Sequence, residues 1–184
     1  MTELTLDDAT RVTVARWVDE YADTVVKTAY YYLGDREAAK DVAQDVFLKC
    51  LSSRVHPEDV RQPKAWLVRM TRNACTDWRR ANRHGGAGPL LPLEWLDGHG
   101  ASAVAGHAGE ADSVEALLLW DAVARLSSVQ QETLLLFYYF GFGTREIALV
   151  LRRREGTVRS ILARARAALR KRLEETSDEG RSQR

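Results

Sequence analysis

The sequence is poor in the features that mark several large classes of protein. It has only two cysteines, Cys50 and Cys75, and they are too far apart for a CxxC pair, so neither a disulfide framework nor a cysteine metal site is indicated. No apolar run approaches the roughly 20 residues that a membrane-spanning helix needs. The segment 1–10 is acidic where a signal peptide is basic and apolar. We therefore expect a cytoplasmic protein with buried free thiols and no membrane insertion of its own.

Signs of catalysis are also missing from the sequence. There is no glycine-rich phosphate loop, no HxE…CxxC zinc pattern and no carboxylate cluster of the kind that enzymes use. The histidines lack metal-ligand spacing; they are His56, His84, His99 and His107. We expect no metal, no cofactor and no enzymatic activity, which makes a nucleotide-modifying enzyme a poor alternative.

Strand signals are scarce, whereas apolar residues recur at helical spacing along much of the chain. The first apolar stripe ends just before Gly34, which is placed to stop the helix, and Asp35 is placed to cap the next one. That second helix is predicted over residues 35–52 and a third over residues 64–83, with a proline-containing break between them. The pattern predicts an all-α fold.

Charge is segregated along the chain, although the formal net charge is only +1. Residues 61–84 carry a net charge of +6, residues 85–119 carry −5 without any Lys or Arg, and residues 120–173 carry +7. Two basic blocks separated by an acidic connector indicate two nucleic-acid contacts on one chain. An ordinary fluctuation in charge is a weaker explanation, because a long stretch without basic residues is unexpected in a chain this rich in Arg.

These patterns divide the chain into two small helical domains. The first is predicted over residues 1–84 and the second over residues 113–174. Residues 85–112 are predicted to form a flexible acidic linker, and the polar residues 175–184 are predicted to form a disordered tail.

The helix predicted from Gly156 onward has an apolar side and an arginine-rich side. Its apolar positions are Val158, Leu162, Ala165 and Leu169, and its opposite face carries Arg159, Ser160, Ala163, Arg166 and Arg170. A short helix over residues 145–151 precedes it at the spacing of a helix-turn-helix, which places its second helix in the DNA major groove. A solvated surface helix is the simpler interpretation, but the basic residues are nearly all Arg, which suits phosphates and guanine edges better than Lys does.

The helix over residues 64–83 shows a similar division. Its predicted core positions are Leu67, Met70, Thr71, Ala74 and Trp78, and its polar side carries Arg69, Arg72, Asn73, Thr76, Arg79, Arg80 and Arg83. Acidic residues do not alternate with these arginines, so a phosphate backbone suits them better than ion pairs within the helix. Trp66 lies at the edge of the polar side, where it can either stack on an unpaired base or belong to the core.

The helix over residues 35–52 has an acidic face that contains one apolar residue. Its predicted core positions are Val42, Ala43, Val46, Phe47, Cys50 and Leu51. On the opposite face Leu48 lies among Asp41, Gln44 and Asp45, an arrangement that suits a protein-docking spot. A single exposed Leu is nevertheless common and usually has no role, and the residues alone favour that interpretation.

Several of these segments resemble the sigma factors of the bacterial sigma-70 family, most closely the compact extracytoplasmic-function (ECF) group. In the first half the matching motifs are Asp41-Val42-Ala43-Gln44-Asp45-Val46-Phe47, Lys64-Ala65-Trp66-Leu67 and Arg69-Met70-Thr71-Arg72-Asn73. In the second half they are Glu146-Ile147-Ala148, Gly156-Thr157-Val158-Arg159-Ser160 and Arg164-Ala165-Arg166. The resemblance covers about residues 17–84 and 113–173. Two matches in the order that the family requires are more specific than a helix-turn-helix alone.

The resemblance implies a sigma factor that binds core RNA polymerase, recognises the −35 and −10 promoter elements and opens the DNA. The implied partners are the coiled coil of the largest polymerase subunit, the polymerase flap, promoter DNA and an anti-sigma protein. Residues 1–84 would form sigma region 2 and residues 113–174 sigma region 4, and the acidic connector would thread the channel that later holds RNA. A stand-alone helix-turn-helix regulator is the alternative, but it leaves the acidic face and the first basic block unexplained.

The resemblance also implies three groups of site residues. The polymerase-binding group is Asp41, Gln44, Asp45 and Leu48. The −10 group is Arg61, Lys64, Trp66, Arg69, Arg72, Asn73, Thr76, Arg79 and Arg80. The −35 group is Arg154, Glu155, Thr157, Arg159, Ser160, Arg164 and Arg166. The loop over residues 55–62 would shape a pocket for a flipped-out base.

The sequence departs from the family pattern at the turn of the helix-turn-helix. Arg152-Arg153-Arg154 stands where the family usually has a Gly, an apolar residue and a capping Ser. An arginine disfavours the left-handed conformation that Gly supplies, and the loss of the Ser cap costs about 1 kcal/mol. Gly143 likewise stands where a capping Ser or Thr is common, and the neighbouring Thr144 is the expected substitute.

Overall fold

The computed structural model describes residues 8–53, 55–82 and 114–182, and every regular element within these ranges is helical. The predicted all-α fold is therefore confirmed. The chain divides into two compact units, the first holding the helices before residue 83 and the second holding most of the residues after it. The predicted linker 85–112 and Arg83 lie outside the described residues. No helix in the described ranges has both the length and the apolar character needed to cross a membrane.

Three helices and a short turn form the first unit. Helix α1 spans Asp8–Leu33, α2 spans Arg36–Leu51 and α3 spans Pro63–Ala81, and a 3-10 turn at Pro57–Asp59 lies between α2 and α3. Helix α1 packs against both α2 and α3, which also pack against each other. The unit is therefore a three-helix bundle in which α1 supports the other two helices.

Two adjacent residues determine the junction between α1 and α2. Gly34 has a φ of +69°, a left-handed conformation that Gly adopts without the steric cost of a side chain. Asp35 has extended backbone, and its carboxylate accepts a hydrogen bond from the Ala38 amide at 2.9 Å. Both predictions for this junction are confirmed. The predicted proline break is also present, with Pro63 as the first residue of α3.

Large apolar and aromatic side chains fill the centre of this bundle. Trp17, Val25 and Tyr31 of α1 are fully buried, together with Val46 of α2 and Leu67 of α3. Fully burying an aliphatic side chain of this kind contributes about 1.5–3 kcal/mol to stability. The rotation of each helix about its own axis is fixed by this burial.

Both cysteines are buried free thiols, as the sequence predicts. Cys50 donates its thiol hydrogen to the Val46 carbonyl at 3.1 Å, and the Cys75 sulfur lies 3.9 Å from the Ala29 carbonyl oxygen. Burial raises the pKa of each thiol to about 12. Neither cysteine is therefore a thiolate nucleophile at neutral pH.

In the described part of the chain, four helices and one π-helical turn follow the linker. Helix α4 spans Val114–Ala124, α5 spans Ser128–Leu134, α6 spans Thr144–Leu151 and α7 spans Glu155–Ser182, and the π-helical turn Leu135–Tyr139 follows α5 directly. Helix α7 packs against both α4 and α5. The long helix α7 is therefore the common packing partner of α4 and α5 in the second unit.

Polar side chains fix the junction between α4 and α5. The Ser127 hydroxyl accepts a hydrogen bond from the Gln130 amide, and the Gln130 side chain accepts one from the Ser127 amide at 3.0 Å, which together form a capping box. The Gln131 side-chain nitrogen lies 3.0 to 3.1 Å from three carbonyls at and just after the end of α4. These contacts satisfy backbone groups that a helix end leaves without partners.

The prediction of a disordered tail over residues 175–184 is wrong for most of that segment, because α7 continues through it to Ser182. An established helix extends at low cost, since each added residue gains one backbone hydrogen bond. The Lys171 ammonium and the Glu175 carboxylate, one turn apart, approach to 3.7 Å and support the extension. A polar segment without proline can thus continue a helix that is already anchored.

Candidate functional site

The four predicted polymerase-binding residues lie together on the exposed face of α2. Asp41, Gln44 and Asp45 are exposed, and Leu48 beside them has 53% of its surface exposed. The opposite face of α2 is buried against the rest of the first unit. A large apolar side chain this exposed contributes little to the fold, and its surface is available to a partner.

Leu48 also borders an apolar groove of about 630 Å³ between α1 and α2. The groove is lined by Arg11, Val14, Ala15, Val18, Gln44, Phe47, Leu48 and Leu51. Phe47 and Leu51, predicted to be core residues, are only half-buried. The side of the groove that α1 forms was not predicted to have a role. The sequence feature that could have indicated this groove is the pair Val14 and Val18, which are spaced i,i+4 on α1. Val18 is 39% exposed.

The predicted −10 residues lie on α3 and in the loop before it. The exposed members are Arg61, Asn73, Thr76 and Arg80, and the half-buried members are Lys64, Trp66, Arg69, Arg72 and Arg79. Thr76 donates its hydroxyl hydrogen to the Arg72 carbonyl at 2.9 Å. Arg80 lies 3.5 Å from Asp77, and both side chains are mostly exposed, so this ion pair is weak and a phosphate can replace the carboxylate.

The buried side of α3 is rotated relative to the prediction. Its buried residues are Ala65, Leu67, Val68, Thr71 and Cys75, whereas the predicted Met70, Ala74 and Trp78 are only half-buried. Helix α3 contacts both α1 and α2, and its buried side is therefore the one that faces both neighbours. The positions of the largest apolar residues in the α3 sequence therefore do not predict which side of the helix is buried.

Trp66 rests on the core of the first unit with one part of its ring. Its ring centroid lies 5.7 Å from that of buried Trp17 in α1, with an interplanar angle of 57°. The side chain is half-buried. The two interpretations of this residue, core packing and base stacking, are therefore compatible in one side chain.

The turn between α6 and α7 forms with an arginine in a left-handed conformation. Arg152 follows α6 as its C-cap, with φ of 52° and ψ of 48°. The Arg153 amide then donates a hydrogen bond to the Ala148 carbonyl at 3.0 Å, which closes the end of α6. The left-handed geometry that an arginine at this position puts in doubt is therefore present. The arginine adopts the conformation usually supplied by glycine, at a cost of about 1–2 kcal/mol.

The start of α6 is capped by its own third residue. Gly143 precedes the helix with extended backbone, and its amide donates a hydrogen bond to the Glu146 carboxylate at 2.8 Å. Thr144, the expected substitute for the missing cap, is instead the first residue of α6, and its hydroxyl donates to Glu155. Because Gly has no side chain, only half of a capping box forms.

Glu155, the first residue of α7, joins the two helices of the helix-turn-helix. Its Oε1 accepts a hydrogen bond from Thr144 Oγ1 at 2.7 Å and another from Arg159 Nη2 at 2.7 Å. These bonds, with that from Thr144 the larger cause, lower the pKa of the Glu155 carboxyl below its ordinary value. The carboxylate is therefore ionised at neutral pH, and its contribution to folding is lost as the pH falls through its pKa.

Arg154 immediately precedes α7, and the other predicted −35 residues lie on the outer surface of this helix. Arg154, Arg159, Ser160, Arg164 and Arg166 are exposed, Thr157 is half-buried, and the buried residues are Val158, Ile161, Leu162 and Ala165. At 3.6 residues per turn, Arg159 and Arg166 project from one flank of this surface, and Ser160 and Arg164 project from the other. The structure thus brings the predicted −35 residues onto one continuous outer surface.

Two aromatic residues of the π-helical turn hold Arg166. The Nε of Arg166 donates a hydrogen bond to the Tyr138 hydroxyl at 2.9 Å. Its guanidinium carbon lies 5.0 Å from the Phe137 ring centroid and 5.5 Å from that of Tyr138. No local sequence pattern predicts these aromatic contacts, because Tyr138 lies 28 positions from Arg166.

Two family descriptions match the chain. Residues 17–85 match sigma-70 region 2, and residues 116–169 match sigma-70 region 4. The first match contains α2 and α3, and the second contains the helix-turn-helix. A stand-alone helix-turn-helix regulator does not account for the region 2 match.

Two curated relatives are similar over most of the chain. The chain is 32% identical to the ECF RNA polymerase sigma factor SigL of Mycobacterium tuberculosis over 161 residues, which cover 85% of this chain and 86% of SigL. It is also 32% identical to the ECF RNA polymerase sigma factor BldN of Streptomyces coelicolor over 155 residues. That alignment covers 82% of this chain but only 56% of BldN, so the chain spans little more than half the length of that relative.

Two solved structures share the fold. The sigma factor RpoE, in complex with the anti-sigma factor NepR from Bartonella quintana, has a TM-score of 0.57 at 20% identity, covering 87% of this chain and 96% of that one. CnrH, in complex with the cytosolic domain of CnrY, has a TM-score of 0.53 at 20% identity, covering 91% of this chain and 99% of that one. At this level of identity the likeness concerns the fold alone.

We expect Arg152→Gly to stabilise the second unit by about 1 kcal/mol, because glycine adopts left-handed backbone without the steric cost of a side chain. Arg153→Gly is the matched control, since it removes the same charge from a residue without positive φ. Amide hydrogen exchange in peptides from α6 and α7 of the full chain measures the effect, and about fivefold slower exchange corresponds to this stabilisation. The assignment of strain to Arg152 is contradicted if both variants, or neither, slow the exchange.

Proposed function

The chain belongs to the extracytoplasmic-function group of the sigma-70 family, the sigma factors that direct RNA polymerase to promoters, and from this premise we propose a role for each of its surfaces. The chain binds core RNA polymerase, recognises the −35 and −10 elements and opens the DNA, with no catalysis of its own. It acts in the cytoplasm. The observation that carries the proposal is that α2 has an exposed acidic and apolar face, whereas α3 and α7 each have an arginine-rich face.

Transcription from a genomic library with core polymerase and the purified chain tests the proposal. Start sites that share −35 and −10 elements and depend on both components support it. The chain alone should bind duplex promoter DNA weakly. Tight binding by the chain alone, without promoter-specific start sites, contradicts the proposal and favours a stand-alone regulator.

The α2 face is the proposed polymerase-docking surface. Asp41, Gln44 and Asp45 supply hydrogen-bond acceptors around Leu48, and the groove beside Leu48 extends the apolar area onto α1. A protein interface commonly combines an apolar centre with a polar rim. This combination suits the coiled coil of the largest polymerase subunit, which we propose as the partner of this face, whereas the polymerase flap is the proposed partner of the second unit.

The α3 face is the proposed contact with the −10 element. Its arginines can follow a phosphate backbone, and the exposed Asn73 and Thr76 side chains between them offer hydrogen bonds to separated bases. Trp66, which packs on Trp17 and is only half-buried, offers exposed ring surface for stacking on an unpaired base. The 3-10 turn at Pro57–Asp59 lies within the loop 55–62 that we propose as the pocket for a flipped-out base.

The start of α7 is the proposed reader of the −35 element. Thr157, Arg159 and Ser160 lie at the N-terminal end of the helix and Arg154 immediately precedes it, and this is the part that meets base edges in helix-turn-helix proteins. Arg164 and Arg166 lie further along the helix and are proposed to contact phosphates. Glu155 lies among these proposed base-contacting residues, and its carboxylate already accepts hydrogen bonds from Thr144 and Arg159.

An anti-sigma protein is a further proposed partner. RpoE, which shares the fold, was solved in complex with the anti-sigma factor NepR. We propose that a protein of this class restrains the present chain by competing with core polymerase.

We expect Asp45→Arg to abolish binding to core polymerase while leaving the first unit folded, because Asp45 is exposed and the reversed charge lies at the proposed interface. Competition with the labelled wild-type chain for core polymerase measures binding, and circular dichroism measures folding. Asp23→Arg is the matched control, since it reverses another exposed carboxylate, on α1, that pairs with Lys27 at 2.7 Å. A folded Asp45→Arg chain that competes as well as the wild type would show that the docking assignment is incorrect.

We expect Arg72→Ala and Asn73→Ala to impair promoter opening more than formation of the closed complex, because the α3 face is assigned to separated strands. Permanganate reactivity of thymines near −10 measures opening, and filter binding measures the closed complex. A promoter with a pre-melted bubble should rescue both variants, since it removes the step that they impair. Equal defects on duplex and pre-melted promoters would argue against this assignment.

We expect Arg159→Ala and Arg166→Ala to differ in their effect on sequence preference. Loss of a base-reading Arg should cost about 1–3 kcal/mol and relax one −35 position. Loss of a phosphate-contacting Arg should weaken all promoters alike and lower the salt slope by about one unit. Binding of the holoenzyme to a library of randomised −35 sequences measures both effects. If both variants weaken binding uniformly, α7 is not the reader.

A further inference from the structure

We propose that Glu155 acts as a positioning residue for promoter recognition: its carboxylate ties the Arg159 guanidinium to the first helix of the helix-turn-helix and fixes the direction in which Arg159 meets the −35 element. The proposal rests on the reading role proposed above for Arg159. It differs from the role that the family resemblance implies for Glu155, which is direct contact with DNA.

The hydrogen bonds of Glu155 connect three residues of two helices in series. Thr144 is the first residue of α6, Glu155 is the first residue of α7, and Arg159 lies one helical turn further along α7. One oxygen, Oε1, accepts from Thr144 Oγ1 and from Arg159 Nη2, and both distances are 2.7 Å. The orientation of the Arg159 side chain is therefore fixed relative to α6 as well as relative to its own helix, α7.

An ionised carboxylate only accepts hydrogen bonds, so the number of donors around it limits what it can still read. The Thr144 hydroxyl and the Arg159 guanidinium already supply two donors to Oε1. A carboxylate in this place also repels phosphate, which disfavours placements of α7 that bring Glu155 against the DNA backbone. Its chemistry thus suits orienting a donor better than contacting DNA directly.

Anchoring also changes the entropy of recognition. A free arginine loses rotamer freedom when it forms a two-pronged contact with a guanine edge, and this loss weakens binding. An arginine that is already held by a carboxylate loses less of that freedom, provided that its held orientation is the reading orientation. Thr144 contributes indirectly, because its hydroxyl holds the carboxylate in place.

The test compares base preference in the holoenzyme across Arg159→Ala, Glu155→Ala and the double variant. Arg159→Ala should relax one −35 position by about tenfold or more. Glu155→Ala should relax the same position by a smaller factor, and it should add no further relaxation when Arg159 is already absent. Thr144→Val should act in the same direction as Glu155→Ala but more weakly. Relaxation of a different position by Glu155→Ala, additive with that of Arg159→Ala, overturns the proposal and makes Glu155 a reader.

Gln131→Ala is the matched control for a merely structural effect. Gln131 contacts carbonyls at the end of α4, so its loss should destabilise the same unit without touching the outer surface of α7. This variant should lower stability and leave base preference unchanged. If it relaxes the same −35 position as Glu155→Ala, the effect of Glu155 is one of stability and the proposal is overturned.

A measurement without DNA separates the positioning claim from the proposed reading role. Relaxation of the arginine side-chain nitrogen signals in the free full-length chain should show that Glu155→Ala mobilises Arg159 and leaves Arg166, which Tyr138 holds, unchanged. An Arg159 side chain that stays ordered in Glu155→Ala overturns the positioning claim. If Arg159→Ala changes no base preference, the proposed reading role fails, and the relaxation comparison still decides whether Glu155 positions Arg159.

Discussion

Burial of one side of each helix is the constraint on which both surfaces of the first unit depend. Val42 and Val46 are buried in the bundle, and this fixes the rotation of α2, which turns Asp41 and Asp45 toward solvent. Each fully buried aliphatic side chain contributes about 1.5–3 kcal/mol, whereas an exposed carboxylate costs little to leave in water. The apolar core thus determines which polar residues are available to a partner.

Local rules were sufficient where a feature depends on neighbours in the sequence. The end of α1, the start of α2 and the buried thiols follow from Gly34, Asp35 and the apolar surroundings of the cysteines. Features that depend on packing did not follow. The rotation of α3, the groove beside Leu48 and the aromatic support of Arg166 all require contacts between segments distant in sequence. The continuation of α7 past residue 175 was not predicted, because amino-acid composition does not show whether the preceding helix is already held by packing.

The turn before α7 shows how tertiary contacts can outweigh a local preference. Arg152 keeps a left-handed backbone at a cost of about 1–2 kcal/mol. The bond from the Arg153 amide to the Ala148 carbonyl and the bond from Thr144 to Glu155 tie α6 to the turn and to α7, so the backbone is held although the residue disfavours it. The turn places Arg152, Arg153 and Arg154 beside the N-terminus of α7. Contacts between these arginines and phosphates are favoured by the release of counterions from the DNA.

Arg159 and Arg166 project from the same flank of α7 but are held by chemically different partners. Arg159 is paired with the Glu155 carboxylate, which reduces its long-range attraction for phosphate and leaves directional hydrogen bonding as its main resource. Arg166 is held by the rings of Phe137 and Tyr138, which carry no charge and leave its positive charge in place. From their positions along the helix, we infer that Arg159 reads bases and that Arg166 binds phosphate. The charge of Glu155 and the neutrality of the Phe137 and Tyr138 rings agree with this division.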